Sequence, residues 1–171
     1  RLKRALIAGS RRVQSHKDQL NTINVFPVAD SDTGTNMAST LRALVGGISE
    51  KSGDLEEISQ VAADSTLTGA KGNSGTILSQ LFYGIAQGIK KKRRIDTKAF
   101  SAILKGAVDY TYRALAEPVE GTILTVLRAW SQKVEEYSSK TDDFGKLLSD
   151  TLQDAKSALK ETTKQLPNLR K

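Results

Sequence analysis

The 171-residue chain contains no cysteine and a single histidine, His16. Thiolate nucleophiles, cysteine-ligated zinc and a disulfide framework are excluded, and one imidazole is too few for a histidine metal cluster. Any chemistry therefore runs on oxygen. Aromatic residues make up only 5% of the sequence. No apolar run approaches the roughly 20 residues that span a bilayer. The opening, RLKRALIAGSRRV, is interrupted by charge too often for a signal-peptide core, so a cytoplasmic location is expected. Strand signals are also missing: no stretch alternates apolar and polar residues, and no Asn-Gly hairpin joins β-branched runs. Methionine occurs once, at Met37, so the chain is expected to be a piece of a longer protein.

What is present is helical periodicity. Hydrophobic residues form 38% and charged residues 26% of the chain, which suits a single folded domain over residues 1–171. Three prolines, Pro27, Pro118 and Pro167, punctuate stretches whose apolar residues recur at three and four positions. The stripes are Leu2, Leu6, Val13 and Leu20; Met37, Leu41, Leu44 and Ile48; Leu55, Ile58 and Ala62; and Ile77, Leu81, Ile85 and Ile89. Phe100, Ile103, Ala107 and Thr111 follow, then Ile123, Leu127, Trp130 and Val134, and finally Phe144, Leu148, Leu152, Ala155 and Leu159. The pattern predicts an all-α antiparallel bundle of about seven helices, with Trp130 and Phe144 in the core.

Two linkers are richer in Gly, Asp, Asn, Ser and Thr than chain reversal requires. The first, Asn24 to Asn36, reads NVFPVADSDTGTN and sets Asp30 and Asp32 two residues apart before a helix. Adjacent carboxylates repel unless a cation lies between them, which points to a hard divalent ion. Magnesium suits the loop better than calcium, because an EF-hand reading puts Gly34 at position five and Leu41 where a bidentate Glu belongs. A plainer reading has Asp32 or Asn36 cap the helix and Asp30 form an Asx-turn. The second linker carries Gly72, Asn73, Ser74 and Gly75 ahead of the most regular apolar helix. Small residues at a helix N-terminus offer backbone N–H groups and a positive dipole end to phosphate. The lysine, Lys71, is out of order for a Walker A loop, and simple helix capping explains the composition equally well. A third punctuation, EPVEGT, holds Glu120, Gly121 and Thr122; it serves either as a helix start or as a wall of the same pocket.

NVFPVADSDTGTNM, GAKGNSGTILSQ and EPVEGTILTV, in this order, resemble the nucleotide-binding (DhaL-like) domain of the dihydroxyacetone kinase family, and within it the bacterial fatty acid kinase branch. The resemblance runs from about Leu20 to Trp130 and rests on the combination rather than on any one motif. It implies an antiparallel helical barrel that binds ATP and two magnesium ions through loops at one end. It gives Asp30 and Asp32 the metal, with Asn24 where a relative has a further metal-binding Asp. Gly34, Thr35 and Asn36 close the same motif; Gly72, Asn73, Ser74 and Gly75 cradle phosphate; Glu120, Gly121 and Thr122 line the nucleotide pocket. Ala29 and Ser31 depart from the family's usual Pro and Gly. The family domain also continues into an Asp-Ala-Gly-Gly-like turn and an eighth helix, which the resemblance leads one to expect beyond this chain. The implied reaction is phosphoryl transfer from ATP to a fatty acid carboxylate presented by a separate fatty-acid-binding protein. A dihydroxyacetone kinase subunit with a small hydroxyl substrate is the alternative.

The net charge of +7 would also suit a basic nucleic-acid-binding module. Aromatics are not interleaved with the basic residues, however, and Lys and Arg are scattered over many faces, so no nucleic acid partner is expected. The densest run, Lys90, Lys91, Lys92, Arg93 and Arg94, either solvates a helix end or offers a peripheral contact to an anionic surface. The sequence leaves a homodimer open.

Overall fold

The computed structural model describes residues 1–24 and 29–165. Pro27, Pro167 and the Phe26-Pro27 part of the acidic motif lie outside the described residues. All regular structure among the described residues is helical, as the periodicity predicts. Among the described residues there are eight helices rather than seven, because the first stripe is broken at His16. This residue ends α1 (Leu2–Ser15) and begins α2 (Lys17–Thr22), its Nδ1 lying 3.0 Å from the Arg12 carbonyl oxygen.

The chain forms two compact units. Unit 1, Arg1–Arg93, contains α1, α2, α3 (Thr33–Ser49), α4 (Leu55–Thr68) and α5 (Gly72–Ile89). Helix α3 is its centre and packs against the other four. Its buried Leu41, Leu44 and Ile48 meet Ile58 and Ala62 of α4 and Leu78 of α5. Leu44 and Ile48 are 0% exposed, each worth about 1.5–3 kcal/mol of apolar burial. Helix α4 starts with a capping box: the Asp54 carboxylate accepts from the Glu57 N–H and the Glu57 carboxylate from the Asp54 N–H, both at 3.0 Å.

Unit 2, Arg94–Lys171, contains α6 (Thr97–Ala114), α7 (Ile123–Ser138) and α8 (Phe144–Gln165). Helix α7 packs on both α6 and α8. Asp96 caps α6 by accepting from the Ala99 N–H at 2.7 Å. The Phe100 and Phe144 rings meet edge to face at 5.6 Å. Trp130 and Phe144 are half-buried rather than fully in the core. The indole N–H of Trp130 donates to the Thr151 hydroxyl at 3.0 Å, so its polar edge is satisfied where it sits. The last stripe is corrected. Helix α8 buries Leu147, Thr151 and Thr162, whereas Leu148, Leu152 and Leu159 are 41%, 52% and 57% exposed. Periodicity marks two adjacent faces of α8 and does not say which one packs inward.

Candidate functional site

In unit 1 the two linkers meet. Ser31, between the two aspartates, has φ +56°, in the left-handed region that favours glycine. The turn expected of a Gly is therefore made by a Ser, and it delivers Asp32 to the N-cap of α3. The Asp32 carboxylate makes no cap hydrogen bond, contrary to the plainer reading of this residue. The helix end is closed instead from fourteen residues upstream. The Asn21 side chain accepts from the Thr35 N–H at 3.0 Å and donates to the Thr35 hydroxyl at 2.9 Å. Asn24 ties the two ends of the loop together: its amide donates to Asp30 Oδ1 at 2.7 Å and its carboxamide oxygen accepts from the Thr33 hydroxyl. Gly34 is buried, and a Cβ there would run into the Lys17 carbonyl and lie 2.8 Å from Leu20 Cβ.

The glycine loop lies beside this helix end. The Ser74 hydroxyl donates to the Thr33 carbonyl at 3.4 Å. Thr40, buried on α3, donates to the Asn36 carbonyl at 2.9 Å and accepts from the Lys71 N–H at 3.3 Å. Gly72 has φ +58°, and a Cβ on it would strike the Asn36 side chain; a Cβ on Gly75 would strike Thr40 Oγ1. Both glycines thus permit a close approach of α5 to α3. The Gly75 N–H donates to the Lys71 carbonyl at 3.1 Å, as the first rung of α5. The loop therefore offers the N–H groups of Gly72, Asn73 and Ser74, which precede that rung, and not the fourth. Likewise the Asn36 N–H donates to the Asp32 carbonyl at 2.8 Å, leaving those of Thr33 and Gly34 ahead of the first rung of α3.

Two helix N-termini, two exposed carboxylates and a left-handed glycine thus share one end of unit 1. Among the described residues no group of three or more His, Cys, Asp or Glu gathers to hold a metal unaided. Two carboxylates suit magnesium, which keeps water and phosphate ligands and rarely takes an all-protein cage. The juxtaposed amides and dipole ends suit the phosphates.

A family model described as the DAK2 domain matches residues 27–171. The chain belongs to the DAK2-domain family. A DAK2 domain is a DhaL-like nucleotide-binding domain of the dihydroxyacetone kinase type, so both the fold class and the kinase affiliation expected from the three motifs are met. Similar chains include an uncharacterised protein of Staphylococcus saprophyticus, 37% identical over 169 residues, covering 96% of this chain and 30% of the relative. Another is Protein YloV of Bacillus subtilis, 35% identical over 166 residues, with the same coverage. The DAK2 chain thus spans about 30% of the length of these curated relatives. No helix among its described residues is long and apolar enough to cross a membrane.

The third motif lies in unit 2. Gly121 is buried with φ +81°, and Thr122 caps α7 by accepting from the Leu124 N–H at 3.3 Å. Glu120 accepts from the Tyr112 hydroxyl at 3.2 Å and from the Thr125 hydroxyl, and pairs with Arg128. Burial pushes the Glu120 carboxyl up, but the Thr125 hydrogen bond and the Arg128 guanidinium outweigh it and hold the group below its usual range. Burial, followed by the Glu120 charge, pushes the Tyr112 phenol up to about 12, so it is a neutral donor at ordinary pH.

Asn21, Thr33 and Thr40 in unit 1, and Tyr112, Thr125 and Arg128 in unit 2, were not singled out by sequence reasoning. Thr33 belonged to a recognised loop and Thr125 to a recognised segment. The others carried no signal, because they act across helices.

Proposed function

We propose that the chain is the kinase domain of a cytoplasmic phosphotransferase that transfers the γ-phosphoryl group of ATP to a fatty acid carboxylate presented by a separate fatty-acid-binding protein, giving an acyl phosphate. The observation that carries this reading is the meeting of the acidic and glycine loops at two neighbouring helix N-termini in a DAK2-domain chain. Asp30 and Asp32 would hold magnesium, with two ions in the loaded site. When bound, magnesium supplies charge neutralisation to the phosphates.

The chain's own residues do the positioning. Asn24 orients the Asp30 carboxylate, Asn21 fixes the first turn of α3, and Thr40 couples that turn to Lys71. The N–H groups of Gly72, Asn73 and Ser74 face the phosphates at the positive end of α5. By the motif it carries, the segment Glu120, Gly121 and Thr122 contributes to nucleotide binding. A carboxylate acceptor is ionised at neutral pH, so its oxygen attacks phosphorus without a general base. The bond to the leaving ADP breaks as the new one forms, and no proton moves. The one imidazole of this chain is engaged with the Arg12 carbonyl, and that reaction asks nothing of it. The exposed run at residues 90–94 makes no ion pair among the described residues, and its turn is held by a bond from the Lys91 N–H to the Glu56 carboxylate at 3.0 Å. It is available as a peripheral contact to an anionic surface.

The test uses the full-length protein. It should consume ATP slowly alone and much faster with a fatty-acid-loaded partner, and hydroxylamine should trap the acyl phosphate. Turnover that follows dihydroxyacetone and ignores fatty acid would replace the acceptor while keeping the domain. Failure to bind magnesium-ATP would remove the whole reading.

A further inference from the structure

In unit 2 a tyrosine from α6, two residues of α7 and the loop between these helices converge on one carboxylate. Oε1 of Glu120 takes the Tyr112 hydroxyl at 3.2 Å, and Oε2 takes the Thr125 hydroxyl and the Arg128 guanidinium. The Arg128 guanidinium also lies over the Tyr112 ring, 4.9 Å from its centre. The Thr125 hydroxyl is in turn the acceptor for the Gly121 N–H at 2.9 Å, so the network ends on the backbone of the one left-handed residue in the segment. A carboxylate whose two oxygens are both taken by protein donors has little capacity left for a ligand, and its charge would repel a phosphate.

We infer that Glu120 is an anchor rather than a nucleotide ligand, and that Tyr112, Thr125 and Arg128 act through it as positioning residues that hold Gly121 and Thr122 in the conformation the nucleotide requires. This rests on the reading of residues 120–122 as pocket lining. The network organises the segment in advance, so the ordering is not charged against binding.

Calorimetric titration of magnesium-ATP into the protein and its variants separates the possibilities. Tyr112→Phe, Arg128→Met and Glu120→Gln should each weaken Kd roughly tenfold, the effect of one hydrogen bond to a charged group, with the binding stoichiometry unchanged. Glu120→Gln/Arg128→Met should be no weaker than the weaker single variant, because both remove one unit. Tyr112→Phe is the decisive member, since it alters no charge. If Glu120→Gln alone weakens binding, Glu120 touches the nucleotide and the inference is overturned. If stoichiometry falls while Kd holds, the network only supports folding and the inference is again overturned. Gly121→Ala reports on the underlying reading. Normal affinity there would remove the segment from the pocket, whereas weakened affinity with normal Tyr112→Phe and Arg128→Met would overturn the anchor alone.

Discussion

Gly72→Ala perturbs the contact between the two loops with a single methyl group. At φ +58° an L-residue pays about 1–2 kcal/mol for the left-handed conformation. The new Cβ would also displace the amide end of the Asn36 side chain, the atom it would strike first. The loss of stability should therefore be about 1–2 kcal/mol, which for a unit of this size lowers Tm by about 5–10 °C. Gly46→Ala is the control: nothing lies within 4 Å of a Cβ there, and the residue is interior to α3. Relieving the helix of a glycine should stabilise it by about 0.5–1 kcal/mol. Thermal unfolding followed by circular dichroism reads both signs. Magnesium-ATP affinity, measured well below Tm, should fall at least about tenfold for Gly72→Ala and stay unchanged for Gly46→Ala. A Gly72→Ala protein that matches Gly46→Ala in both assays would refute the geometry. One that loses stability but binds normally would refute the phosphate role of the loop.

Gly75→Ala should destabilise by about 1–3 kcal/mol through overlap with Thr40, and Thr40→Ala should rescue part of that loss in the double variant, a coupling that urea unfolding of all four proteins measures. Asp32→Ala should cost only a few tenths of a kcal/mol in the same assay, because its carboxylate makes no cap bond, whereas Asp54→Ala breaks a capping box and should cost about 1 kcal/mol. Asp32→Ala should nonetheless abolish magnesium-dependent ATP binding. Glu120 has a depressed folded pKa, so its stabilising contribution is present above the unfolded value of about 4.3 and is lost as pH falls through the folded one. Wild-type Tm should therefore drop more steeply than that of Glu120→Gln below about pH 4.3. The side chain is 46% exposed, which keeps this difference small.

Local information carried the fold class and both loops. Apolar residues three and four apart specify helices wherever they occur, and Gly72 and Asp30 advertise themselves by type. Other features were hidden for physical reasons. The break at His16 interrupts a stripe that continues unchanged from Val13 to Leu20, so periodicity alone could not find it. Leu148, Leu152 and Leu159 obey helical spacing as well as Leu147 and Thr151 do, and tertiary packing chooses between the faces. The plainer reading looks for the cap of α3 at Asp32 or Asn36 because capping is usually local. Asn21 supplies it from another helix, which leaves the aspartate uncommitted. Glu120 was recognised by its motif, but its partners Tyr112 and Arg128 lie eight residues to either side and join it only once α6 and α7 are packed.

Asp30 and Asp32 and the N–H groups of the glycine loop should together bind magnesium-ATP. Isothermal titration of ATP into the protein, with magnesium and then with chelator, tests it most directly, alongside Asp30→Asn and Asp32→Asn. One ATP per chain should bind with magnesium, and that binding should be lost with chelator and in both variants while helical circular dichroism is retained. ATP binding that persists undiminished without magnesium and in both variants would contradict it.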